Sequence, residues 1–145
     1  MTLNEILIDF KNYLQNHPLL ESCSLTLSDE DFNALNSQQY PTSNIQYIDS
    51  TTVGTTFTHN IKIILADLSN PNVEDIDFEI LSDLMRIAGD FFVYLDGDFR
   101  FDWTKTSNIQ PFVDSNVDRM TGIVFTIGVT NYIDSTVQPS GVIIC

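Results

Sequence analysis

The chain has 145 residues, 43% apolar and 18% charged, a composition for one globular domain with a real core rather than a disordered segment. Charge is the outlier: 20 Asp and Glu against six Lys and Arg give a formal net charge of −14. Affinity for phosphate rests on Lys and Arg, so specific nucleic-acid binding is excluded, and no run approaches the roughly 18 apolar residues of a membrane span.

Thr2-Leu-Asn-Glu5 has capping-box spacing, and Leu3, Ile6, Leu7, Phe10 and Leu14 follow at helical spacing. His17-Pro18 closes this first helix. The opening residues have no basic stretch, and Asp9 and Lys11 interrupt the apolar part, which is unlike a signal peptide. Cys23, Leu25 and Leu27 alternate with Ser22, Ser24 and Thr26 and predict a short strand. Ser28 is placed to cap one or two helical turns through Leu35. Residues 37–43 read as loop, and Ile45 to Ile48 as strand.

Asp49, Ser50, Thr51, Thr52, Val53, Gly54, Thr55 and Thr56 supply almost no apolar anchor. They read as an extended loop or as the tip of a long hairpin, and as an interface segment. Phe57 to Ala66 alternates Phe57, His59, Ile61, Ile63 and Leu65 against Thr58, Asn60 and Lys62. Ile64 and Ala66 on its second face predict cover on both sides.

Residues Glu79 to Asp98 form one long amphipathic helix in this reading. At 100° per residue, Ile80, Leu81, Leu84, Ile87, Ala88, Phe91, Phe92 and Leu95 share one face, with Met85 at its edge. Glu79, Asp83, Arg86 and Asp90 gather opposite, where Arg86 can pair with either aspartate. Glu74, Asp75 and Asp77 lie where the helix dipole favours anions. Asp96-Gly-Asp98 stops the helix, with Gly97 expected in the left-handed conformation. Phe99, Phe101 and Trp103 then alternate as a strand, residues 108–116 read as loop, and Gly122 to Tyr132 is a strand with Ile123, Phe125, Ile127 and Val129 inward. In the tail from 133 to 145, Val142, Ile143, Ile144 and Cys145 are an apolar end that is either tucked under the domain or added to a neighbour's sheet edge as an interface. The fold class is α+β: a single domain over 1–145, a mainly antiparallel sheet, and an N-terminal and a long central helix packed on one face.

Chemistry-bearing motifs are missing. Asp114, Asn116 and Asp118 copy the start of a calcium loop, but its glycine and glutamate places hold Arg119 and Phe125. His17 and His59 form no zinc spacing, and Cys23 and Cys145 read as free thiols. No phosphate loop or activated nucleophile is visible, so no metal, cofactor or enzymatic activity is expected. Ten of the 20 acids fall between Asp67 and Asp102. Glu79, Asp83, Asp90, Asp96 and Asp98 are therefore candidates for an acidic channel or surface. They suit a wall that DNA passes without sticking, a DNA mimic that binds a basic host protein, or a solvated face that keeps the chain soluble.

Ile61-Lys-Ile-Ile-Leu-Ala-Asp67, Leu81-Ser-Asp83, Ile87, Asp90-Phe91 and Tyr94-Leu95 together resemble tailed-phage neck and tail-completion proteins, including tail terminators. Pro111-Phe112, Asp118 to Gly122 and the alternating strand to Val129 extend the likeness. The resemblance implies a non-enzymatic virion protein, assembled in the host cytoplasm, that forms a homo-oligomeric ring through head-to-tail contacts. It further implies six-fold symmetry for a tail terminator or twelve-fold for a neck ring, contacts with the tail tube and with neck or portal-proximal proteins, and passage of DNA through the ring without specific binding.

Overall fold

The computed structural model describes residues 2–33, 39–70, 72–97, 101–114 and 119–132. Helix α1 (Leu3–Gln15) starts where Thr2 Oγ1 accepts the Glu5 amide at 3.2 Å, the forward half of the expected box. It buries Ile6, Leu7, Phe10 and Leu14. Next come β1 (Ser22–Thr26), the short α2 (Asp29–Asn33), β2 (Thr42–Val53) and β3 (Thr56–Leu68). Helix α3 (Ile76–Asp96) precedes β4 (Asp102–Lys105), β5 (Gln110–Asp114) and β6 (Met120–Tyr132).

Five strands run in the order β1-β2-β3-β6-β4, and β5 pairs with a different stretch of β6. Among the described residues only β1 and β2 are parallel; every other pair is antiparallel. The architecture is α+β, as the apolar periodicities predict. Register explains the main core. Ile45 pairs with Ile63 and Ile63 with Phe125, while Ile61 faces Ile127 and Leu65 faces Ile123. These side chains therefore share one face of the sheet, and α1 and α3 cover it. Ile80, Leu84, Ile87, Ala88, Phe91 and Leu95 supply the helical side. Met85, expected at the edge of that stripe, is exposed.

The opposite face carries a smaller core. Phe32 of α2 meets Ile64, Ala66 and Met120, with Tyr40, Phe112 and Val124 packed around them. Cover on both sides of the β3 end is thus real, although among the described residues the one helix on this face is the short α2.

Three expectations need correction. Thr42 and Ser43 are buried strand residues rather than loop, because partners on β1 satisfy their side chains; Ser22 Oγ meets Thr42 Oγ1 at 2.7 Å. Residues 110–114 are strand β5, not loop. Its Phe112 lies opposite Gly122, and Pro111, which has no donor, is tolerated because β5 is an edge strand. Gly97 closes α3 at φ −82°, ψ −6°, so no left-handed cap forms there. The left-handed residue sits at the other end, at Asp75 (φ 60°), which caps α3 without a side-chain hydrogen bond. Residues 115–118 and 98–100 lie outside the described residues, and with them the rest of the calcium-like loop, Asp98 and Phe99.

Gly122 is where β6 packs tightly against the smaller core. A Cβ there would meet the Leu65 carbonyl oxygen and the Phe112 ring, each at 2.5 Å. The ring can swing away but the strand backbone cannot, so Gly122→Ala should destabilise the fold by about 1–3 kcal/mol, read as a lower urea midpoint at unchanged slope.

Candidate functional site

The predicted interface segment 49–56 is the distal end of a long β2–β3 hairpin. Val53 pairs with Thr56 across a two-residue turn, with Gly54 at φ 60° in the first central position. Among the described residues Asp75 is the one non-glycine with positive φ, so Thr55 is ordinary and the turn has the type II′ arrangement. Thr51, Thr52, Val53, Gly54 and Thr55 are exposed. Asp49 accepts from Asn60 Nδ2 at 2.6 Å, and Thr56 Oγ1 donates to the Val53 carbonyl at 2.8 Å. A register shift between Tyr47 and Asp49 leaves Ile48 unpaired and half exposed, and such a bulge increases local twist. The other predicted interface residues, Val142, Ile143, Ile144 and Cys145, lie outside the described residues.

At the hairpin base sits a polar chain that alternation alone does not reveal. The Tyr47 hydroxyl lies 2.5 Å from Ser50 Oγ, which lies 2.6 Å from His59 Nδ1, and His59 Nε2 lies 3.0 Å from Asn131 Oδ1. The Asn131 oxygen only accepts, so Nε2 carries the proton, and neutral Nδ1 accepts from Ser50. The residue types are those of a nucleophile, a base and an orienting group. Ser50, however, also bonds Tyr47, and His59 is 5% exposed beneath the Phe57 ring, stacked at 5.7 Å. The chain links β2, β3 and β6 where the apolar core ends.

The acidic candidates scatter into different settings. Glu79 and Asp83 are exposed on α3, and Asp96 accepts from Trp103 Nε1 at 2.8 Å. Asp90 accepts from His17 Nε2 at 2.9 Å, and the Leu19 amide donates to His17 Nδ1 at 3.1 Å. In that arrangement Nε2 is the donor and Nδ1 the acceptor. The expected i, i+4 partner of Asp90 was Arg86, but no ion pair joins Arg86 to Asp83 or Asp90. At the β3 end, burial raises the pKa of Asp67, and the charge of Asp83 raises it further.

Two further carboxylates have structural roles. Asp77, in the first turn of α3, accepts from Ser69 and Thr121 and from Arg119 at 3.3 Å; these bonds, Ser69 first, lower its pKa. Asp29 accepts from Gln46 at 2.8 Å and from Lys62 at 2.9 Å, which lowers its pKa, the Gln46 bond most. Cys23 is a free thiol whose pKa burial raises, so it is a poor nucleophile.

A cleft of about 730 Å³ opens between the end of α1 and α3. Asp9, Tyr13, His17, Asp90 and Tyr94 are among its walls. Tyr13 and Tyr94 stack at 4.2 Å, and burial followed by the Asp90 charge raises the Tyr13 pKa. Helical spacing places Asp90 on the outer side of α3 but does not bring Asp9, Tyr13 or His17 to it; their convergence depends on how α1 packs on α3. Among the described residues, no group of three or more His, Cys, Asp or Glu is placed to hold a metal ion, and no helix is long and apolar enough to cross a membrane.

The chain matches no protein-family model, and no curated protein matches it.

Burial holds His59 below its ordinary pKa of 6.5, more strongly than the Asn131 bond raises it. As pH falls through 6.5 the unfolded chain takes up a proton that the folded ring resists, so stability is full above that value and declines below it. The lowered carboxylates Asp29 and Asp77 act in the same direction, but only at more acidic pH. Urea midpoints measured from about pH 7.5 to 5 should fall for the wild type and fall less for His59→Gln.

Proposed function

We propose that this chain is a non-enzymatic structural subunit of a tailed-phage virion. It forms a ring at the head–tail junction or at the head-proximal end of the tail tube, where it terminates or joins the tail. The observation that carries this reading is where the family-like residues fall. Ile61 to Asp67 lie in β3, Leu81 to Leu95 in α3, and Gly122 to Val129 in β6. Ile61, Ile63, Leu65, Ile87, Phe91, Leu95, Phe125, Ile127 and Val129 within them belong to one packed core. The likeness therefore follows a contiguous framework and not a scatter of surface residues.

Two further features support it. The end of the β2–β3 hairpin is exposed from Thr51 to Thr55, the kind of surface a ring subunit can lay on a neighbour or on the tube. The net charge of −14 suits a passage through which DNA slides, because counterion-releasing contacts would hold it. In this role the ring is six-fold in a tail terminator or twelve-fold in a neck connector, meets tail-tube and neck or portal-proximal proteins, and needs no cofactor.

Mass spectrometry of purified virions should find the chain in particles at a copy number near six or twelve per virion, and negative-stain images of the tail end should show a ring. Absence from particles would sink the proposal. Recovery of the chain on a basic host protein in the same lysate would favour the DNA-mimic reading instead.

A further inference from the structure

Helix α3 has a second ordered face. Phe78, Ser82, Met85, Gly89 and Val93 follow one another at spacings of four, three, four and four, which places them in a single row about 22 Å long. Nothing in the described fold covers this row: Phe78 is 72% exposed, Met85 46% and Val93 71%. Within it, Gly89 is anomalous. A glycine in the middle of a long helix weakens it. A Cβ at Gly89 would meet nothing within 4 Å, so no contact within the described fold calls for its absence. A residue that weakens the helix and makes room for nothing in the fold is suited to close approach from outside.

Charge selects the occupant. Glu79, Asp83 and Asp90 outnumber the single Arg86 on one flank of the row, and that flank leads into the cleft where Asp9 and Asp90 stand beside the stacked Tyr13 and Tyr94. A second copy of this chain would bring the same acids to them. Against its 20 Asp and Glu it has only six Lys and Arg, and two of these, Lys62 and Arg119, are already engaged by Asp29 and Asp77. The chain's own residues 133–145 contain Asp134 and neither Lys nor Arg. We infer that the outer face of α3 docks a basic amphipathic helix of another protein. Its small apolar side chains sit on the Met85–Gly89–Val93 row, and a Lys or Arg enters the α1–α3 cleft over the tyrosine faces. This inference is independent of the ring reading, because it concerns a pairwise contact that the isolated chain can make.

The test uses the full chain and a fluorescein-labelled designed peptide of about five helical turns. One face of the peptide carries Ala and Leu, and Lys flanks that face. Fluorescence anisotropy should show saturable binding that weakens as salt rises. Gly89→Leu should weaken binding by at least about tenfold while raising the melting temperature, because Leu is the better helix former at an exposed site. Glu79→Lys with Asp83→Lys should weaken binding similarly, and a peptide with Glu in place of Lys should not bind. Equal affinity for the Gly89→Leu variant, or no binding of the Lys peptide to the wild type, would overturn the proposal. So would light scattering that shows a wild-type dimer abolished by Gly89→Leu, which would make the occupant a second copy.

Discussion

The fold depends on an aromatic junction at Phe91, where two helices and the sheet meet. The Phe10 ring stands edge-on to Phe91 at 5.3 Å, and Phe125 of β6 lies 6.5 Å away on the sheet side. One turn along, Tyr13 stacks on Tyr94, while Phe92 stacks on Trp103 at 5.3 Å and meets Phe125 at 5.1 Å. Each such ring pair adds about 0.5–1.5 kcal/mol beyond its buried area and also fixes an angle between elements. The junction therefore sets where α1 lies against α3. It brings His17 to Asp90 and creates the cleft between the two helices.

The two faces of the sheet are held in different ways. The helical face is apolar for most of its length and ends in the Tyr47–Ser50–His59–Asn131 chain. On the opposite face, Asn44 donates to Ser24 and Thr26, Gln46 donates to Asn44 and Asp29, and Lys62 closes the set on Asp29. Asn44 and Gln46 are buried, and such groups are tolerated inside only because they are bonded. This network holds the parallel β1 against β2. It also places α2 so that Phe32 seals the small second core.

Elements with strong apolar periodicity were legible from the chain. The stripe of α3, the alternation of β3 and β6, and the apolar face of α1 each follow from side-chain spacing and the need to bury a face. Strands β5 and the start of β2 were not legible. Their residues are polar, contain proline, or are too few to show a period, and pairing partners distant in sequence make them strands. Gly97 shows the same limit: a glycine at a helix end permits a left-handed cap without requiring one. The hairpin was legible only as one of two alternatives, because a Thr-rich strand is stabilised by its neighbours more than by its own propensity. The acids that cluster in the sequence are divided among a histidine partner, an indole, a structural ion pair and solvent, according to where the packing points them.

By itself the sequence determined the class of the domain, its strong negative charge and the helix and strands that hold its core, because periodicity and composition are local properties. Only the tertiary structure decided which carboxylates acquire partners, that His59 is buried within a polar chain, and that the α1–α3 cleft exists. It also gave the outer row of α3 its meaning, since a row of apolar residues around Gly89 is unremarkable until every other face of that helix has been accounted for. These are properties of convergence, set by register and by the angles between elements, and no single stretch of sequence carries them.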